Sequence, residues 1–245
     1  MWLIFKRKFL IYILCIILII TFQLARRYSS LAVFVKLRDP LQKKVIVIDP
    51  GHGGIDGGTN REGLLEKNIN LEIALKLREI LERNNASVVM TREKDTALDH
   101  LNNYSSSRHL RDLSARRDII NQNDADLFIS IHINAGSSHL SGPLVIYREE
   151  DQRLAHLLQT KLNSMEYKDI ELKSNYPLQG NYFLLNTAQV EGVIVEIGYI
   201  TNSRDNKLLQ DEEYQYLVAK TLFSGIEEYF SSFTFYLEKI EKNKL

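Results

Sequence analysis

Four side chains in this 245-residue chain have the types and placement for hydrolytic metal chemistry: His52, Glu66, His132 and Glu196. Two imidazoles and a carboxylate make a common shell for catalytic zinc, with a fourth position left for water. A remaining carboxylate can then serve as general base. Taken singly these residues are bland. A histidine after a strand is more often a loop or packing residue, and a glutamate in a first helical turn usually only complements the helix dipole. Glu196 is the least bland, because a carboxylate following Val193-Ile194-Val195 enters or borders the core and requires compensation. Residue type and spacing leave open which of Glu66 and Glu196 would ligate and which would carry protons. His100, His109, His139 and His156 stand in polar or helix-surface contexts and are read as non-ligands.

The elements around these residues give them a common location. Lys44 to Asp49 is a near-continuous β-branched run, read as a strand buried on both faces. His52 follows it by three residues. Leu65 to Arg83 repeats apolar residues at helical spacing, with Glu66 at its start and Asn84-Asn85 as a stop. Ser87 to Arg92 reads as a second strand, about Leu110 to Gln122 as a helix, and "DLFISIHIN" as a third strand in which Ser130, His132 and Asn134 share a face. Pro143 to Tyr147, Tyr182 to Leu185 and Gly192 to Ile197 are further strand candidates, and Gln152 to Ser164 and Glu212 to Phe230 are helices. The alternation predicts a single α/β domain with a mainly parallel central sheet flanked by helices. In such sheets ligands collect at the carboxyl ends of strands, where all four residues fall.

The turn "DPGHGGIDGG" invites a phosphate reading, which its spacing does not support. Counting G-x-G-x-x-G from Gly51 puts Asp56 in the last position, and no Gly-Lys-Ser/Thr follows. The glycines instead allow a sharp turn that aims His52 across the strand ends. No G-x-S-x-G elbow is present.

Residues 1–32 are compositionally separate: Lys6, Arg7 and Lys8 precede an apolar run over 9–24, and Arg26 and Arg27 follow it. This pattern predicts a signal peptide or, preferentially, an uncleaved signal anchor, with the rest exported or secreted. The expected division is then a linker over 33–43, a catalytic domain over 44–230 and a tail over 231–245. The only cysteine, Cys15, lies in the apolar run, so the exported part has neither a disulfide nor a thiolate ligand. Beyond residue 32 there are 26 basic and 31 acidic residues, a net of −5, which gives no electrostatic reason to bind nucleic acid.

Six segments in order, "DPGHGGIDGG", "EKNINL", "TREKD", "LSARRDIIN", "FISIHINA" and "VEIGYITN", resemble the zinc-dependent N-acetylmuramoyl-L-alanine amidases of the Amidase_3 type. The resemblance spans about residues 44 to 230. It implies a phosphorylase/hydrolase-like amidase fold, His52, Glu66 and His132 as zinc ligands, and Glu196 as the catalytic carboxylate. The departures are Glu191-Gly192 where the family often has Pro before the last strand, Ile120 for Ala, and Tyr199 where Phe is common; none touches an expected ligand.

The resemblance further implies peptidoglycan as substrate and the membrane as a partner through the N-terminal segment. It also leaves room for an activating partner protein. The absence of a wall-binding module, the short path from Ala135 to Gly142 and the "SSSRHLRDL" stretch are most similar to the germination-specific cortex amidases of endospore formers. These act on spore cortex to prepare muramic δ-lactam, in the space between forespore and mother-cell membranes. A vegetative autolysin and a non-catalytic peptidoglycan-binding scaffold are the alternatives.

Overall fold

The computed structural model describes residues 13–27 and 39–232. Residues 13–27 form a helix, α1. Of the expected apolar segment over 9–24, residues 9–12 lie outside the described residues. At about 1.5 Å per residue the described helix reaches roughly 22 Å, less than the roughly 30 Å of a bilayer core. No described helix is long and apolar enough to cross a membrane. The linker up to residue 38 and the tail beyond residue 232 also lie outside the described residues.

The described residues from Pro40 onward make one compact unit. Six strands lie in the order β4-β1-β5-β8-β6-β7. These are β1 (Val45–Pro50), β4 (Ser87–Met90), β5 (Leu127–Asn134), β6 (Leu144–Tyr147), β7 (Leu178–Gln179) and β8 (Gly192–Tyr199). Neighbours run parallel except β6 against β8, so the sheet is mainly parallel as expected. A two-residue hairpin, β2 (Asn60–Arg61) and β3 (Leu64–Leu65), turns at Glu62 and Gly63, both at positive φ. That conformation matches the right-handed twist of a tight hairpin.

Helices cover both faces. On one side α2 (Glu66–Arg83), α4 (Gln152–Asn163) and α7 (Glu212–Ser231) pack on Ile46, Ile48, Ile129, Ile131, Val193 and Val195. The i, i+4 series Ile69, Ile73, Leu77 and Leu81 supplies the buried stripe of α2. Each such side chain contributes about 1.5–3 kcal/mol of burial. On the other side α3 (Arg108–Gln122) and α5 (Phe183–Thr187) cover Val47, Phe128 and Ile194 through Ile120, Leu184 and Leu185. A seven-residue helix, α6 (Ser203–Leu209), follows β8.

Two expectations change. Tyr182 to Leu185 is not a strand: Tyr182 is extended and Phe183–Thr187 is helix α5. The place beside β6 is taken by β7, so this short apolar run lies on the sheet face and buries the consecutive Leu184 and Leu185, which a strand would send to opposite sides. Leu41, assigned to the linker by sequence, is 1% exposed and belongs to the core.

Candidate metal and catalytic site

The turn after β1 is held by two buried arginines. Arg116 of α3 donates to the carbonyls of Pro50 (2.8 Å) and His52 (2.6 Å), while pairing with Asp49 (2.7 Å) and Asp112 (2.6 Å). Arg92, just past β4, donates to the carbonyls of Pro50 (2.9 Å), Gly51 (3.0 Å) and Lys67 (2.8 Å). These forks suit several carbonyls at once because guanidinium donors are planar and always charged. Burial raises the Asp49 carboxyl, but Arg116 and the hydroxyls of Ser130 and Thr91 outweigh it and bring it to about 2.

Held this way, the turn can take a conformation that side chains seldom adopt. His52 has φ 62°, in the left-handed region. Gly51 is required by close approach, since a Cβ there would stand 2.2 Å from Cε1 of His132. The same loop caps α2: Thr59 O accepts from Glu66 N–H (3.0 Å) and Gly57 O from Lys67 N–H (3.2 Å). Helix α2 has no side-chain cap, so these carbonyls and the first-turn carboxylate of Glu66 define its start.

Glu66 is 2% exposed and lies between the imidazoles. Its Oε1 is 3.2 Å from His52 Nε2, 3.0 Å from His132 Nδ1, and accepts from Ile133 N–H at 3.0 Å. Its Oε2 accepts from the Thr59 N–H (2.8 Å) and hydroxyl (3.1 Å). Donor atoms of His52, Glu66 and His132 all lie within 4.8 Å of one another, the one grouping of metal-ligand type among the described residues. The rings meet edge to face, 5.0 Å apart. Asp56 Oδ2 sits 3.0 Å from His52 Nδ1, so a carboxylate orients the far side of that ring.

Burial pulls Glu66 upward, but the two imidazoles hold it well below the usual carboxylate range. Burial lowers His52, and the hydrogen bonds and charges of Glu66 and Asp56 reverse that, carrying it to about 9. A cation shared by the three groups is the other way to balance this concentration of donors.

Glu196 completes the set from β8. It is 9% exposed, and its Oε2 is buried with no hydrogen-bond partner. Burial raises its pKa to about 7; His132 and His52 pull it down and Glu66 pushes it up. A buried carboxylate poised near neutrality beside a ligand cluster is equipped to exchange protons.

The structure thus brings together all four residues singled out in the sequence. His100, His109, His139 and His156 are on exposed positions. Of the polar side chains near the two rings, Asp56 is the acceptor that stands against His52. Asp49 instead serves Arg116, Thr91 and Ser130. Asn134 makes no side-chain bond to either imidazole among the described residues. Arg92 and Arg116 were missed as supports, although "TREKD" and "LSARRDIIN" contain them; nothing in the local sequence distinguishes them from the charged residues Glu93, Lys94, Arg117 and Asp118 around them.

An α/β sheet carrying a histidine–glutamate–histidine cluster and a buried fourth carboxylate at its strand ends defines a hydrolase domain with a site suited to a divalent metal. The chain belongs to the Amidase_3 family, N-acetylmuramoyl-L-alanine amidase, which matches residues 46–228. It is 37% identical over 199 residues to the germination-specific N-acetylmuramoyl-L-alanine amidase of Bacillus subtilis strain 168, covering 78% of this chain and 82% of that protein. In structure it is similar to the CwlD amidase of Clostridioides difficile, solved in complex with the GerS lipoprotein (TM-score 0.70, 33% identity, 77% of this chain and 99% of that one). It is likewise similar to the catalytic domain of CwlV, an N-acetylmuramoyl-L-alanine amidase from Bacillus (Paenibacillus) polymyxa var. colistinus (TM-score 0.66, 30% identity, 76% and 97%).

Proposed function

We propose that this amidase is zinc-dependent, with His52, Glu66 and His132 as ligands and Glu196 as the proton carrier. It hydrolyses the amide between the lactyl group of N-acetylmuramic acid and L-alanine of the stem peptide. The observation that carries the assignment is the convergence of His52, Glu66 and His132 within 4.8 Å. The unpartnered buried Oε2 of Glu196 supports the second role.

Zinc held there supplies Lewis acidity, which polarises a carbonyl and brings the pKa of water toward about 7. The chain's own residues do the rest. Asp56 fixes the His52 ring, and Thr59 and Ile133 fix the Glu66 carboxylate. Glu196 Oε2 takes a proton from the attacking water and returns it to the departing alanine nitrogen. The stem peptide leaves with a free amine and the glycan keeps a lactyl carboxylate.

The biological setting we favour is the spore cortex, with the product committed to muramic δ-lactam; the likeness to the germination-specific enzyme supports it. The enzyme acts outside the cytoplasm, and a partner protein of the kind seen on CwlD is part of this reading. A vegetative autolysin with the same chemistry is the second reading.

The test is mass analysis of peptidoglycan digested by the purified protein with zinc, beside Glu196→Gln. Peptide-free muramic acid and stem peptides with a free alanine amine are expected from the wild type alone. Cleavage within the stem would make it a peptidase, and no product from folded, zinc-loaded protein supplied with its partner would make it a scaffold. Loss of δ-lactam from spores lacking the enzyme separates cortex from vegetative wall.

A further inference from the structure

Asp205 in α6 is a buried carboxylate, 3% exposed, that the chemistry above does not use. Its Oδ2 accepts from Tyr199 N–H (3.0 Å) at the end of β8 and from Gly142 N–H (2.7 Å) just before β6. Burying a carboxylate is costly unless hydrogen bonds compensate it, and here backbone donors from two separate segments do so. The helix start that carries Asp205 is fixed by Asn202, whose side chain accepts from the N–H groups of Arg204 (3.0 Å) and of Asp205 itself (3.2 Å).

The place it holds is a β-bulge. From His132 to Asn134 strand β5 advances two residues, whereas β8 advances three, from Glu196 to Tyr199. The extra residue falls directly after Glu196, and a bulge bends its strand, sharpens the local twist and re-aims a neighbouring side chain. On the β5 side the bulge is closed by Ile200 N–H, which donates to Asn134 O (2.9 Å). On the other side β6 pairs antiparallel with Leu144 level with Glu196, and that register continued outward brings Gly142 level with Gly198. There the pairing has ended, and Asp205 Oδ2 takes the Gly142 and Tyr199 donors together. Gly198 leaves room for it, since a Cβ there would stand 3.2 Å from that oxygen. Glu196 Oε2 has no hydrogen-bond partner of its own, so the backbone of β8 decides where it points.

We propose that Asp205 is a positioning residue for the reaction: one carboxylate oxygen holds the bulge after Glu196 and so sets the direction in which that side chain leaves the strand. The proposal rests on the reading of Glu196 as proton carrier. Asp205 touches neither the reacting atoms nor the three ligand residues, which come from the turn after β1, from α2 and from β5. Zinc content therefore separates this role from a general loss of structure. A displacement of about 1 Å at a reacting group costs on the order of 10²-fold in rate, which sets the scale of effect expected from a group acting at one remove.

Turnover by the zinc-loaded full chain, measured in the wild-type and Glu196→Gln backgrounds, tests this. Asp205→Ala is expected to lower kcat about 10–100-fold with KM and zinc content within about twofold of wild type. Asp205→Asn, which keeps an acceptor oxygen, is expected to restore kcat. In the Glu196→Gln background Asp205→Ala is expected to have no further effect, because a residue acting through Glu196 has nothing left to position. An equal fold loss in both backgrounds, or zinc lost in step with kcat, makes Asp205 structural only and overturns the proposal. Should Asp205→Ala not fold, Gly198→Ala presses a methyl against Oδ2 and is expected to show a smaller loss in the same pattern. Crystal structures of the metal-free wild type and of the same variant give a reading without turnover: the Glu196 carboxylate is expected to shift by about 1 Å relative to His132. An unmoved carboxylate overturns the proposal. Full activity of Glu196→Gln alone would instead remove the proton-carrier reading, and the crystal comparison would still decide whether Asp205 directs that side chain.

Discussion

His132 on β5 and Glu196 on β8 are register partners across a parallel strand pair. Residues opposite one another in such a pair leave the sheet on the same face. The ladder shifts register between His132 and Asn134 immediately afterwards. A ligand-type imidazole and a buried carboxylate are therefore fixed beside each other by backbone pairing. Neither depends on a flexible loop for its position.

If Glu196 carries the proton, Glu196→Gln retains one equivalent of zinc and loses activity by about 10²–10⁴-fold. Release of free alanine amine, measured beside zinc content by atomic absorption, reads both quantities. Retained turnover would remove the assigned role.

Glu196 also makes a stability prediction in the metal-free protein. Its folded pKa, about 7, lies above the ordinary 4.5 because burial favours the protonated form. The stability so conferred is full below pH 4.5 and is lost as the pH rises through 7. Glu196→Gln, which imitates the protonated form, should match the wild type at pH 4 and exceed it at pH 8 by at most roughly 3 kcal/mol. Urea unfolding at the two pH values measures the difference; an equal offset at both would show that titration is not its source.

Gly51→Ala tests the close approach of the turn to His132. The added methyl would stand 2.2 Å from Cε1 of the ring, so the ring must leave its place. Zinc content is expected to fall well below one equivalent while circular dichroism stays close to wild type. A folded variant with full zinc occupancy contradicts the geometry.

Arg116 separates charge from shape. Arg116→Met leaves Asp49 and Asp112 buried without their cation, at a cost of about 3–5 kcal/mol. Arg116→Lys keeps the charge but loses the fork that also holds the Pro50 and His52 carbonyls. Thermal unfolding should rank wild type, Lys and Met in that order, and zinc affinity should fall in both variants. A lysine variant with wild-type zinc affinity would mean that the fork does not position the turn.

The strands and long helices were legible because their apolar spacing is dictated by what each side chain must bury. Val45 to Asp49, Ile69 to Leu81 and Phe128 to Ile133 each carry one period over enough residues to exclude another. The four site residues were legible for a related reason: each lies toward the carboxyl-end side of the sheet, where α/β domains collect ligands. The motifs in their order then identified the family. What the sequence alone did not contain is how distant elements share space. Tyr182 to Leu185 has a run too short to specify one period, and the presence of β7 beside β6 decided that it becomes a helix on the sheet face. The sequence assigned Arg92 and Arg116 no role; the fold buries them against the carbonyls of the turn, 42 and 66 residues away from Pro50. Glu66 and His132, likewise 66 residues apart, meet at 3.0 Å only because α2 returns its first turn to the end of β5. Periodicity and residue type are local properties of the chain; which buried charges face one another is settled by packing, and only the tertiary structure holds that information.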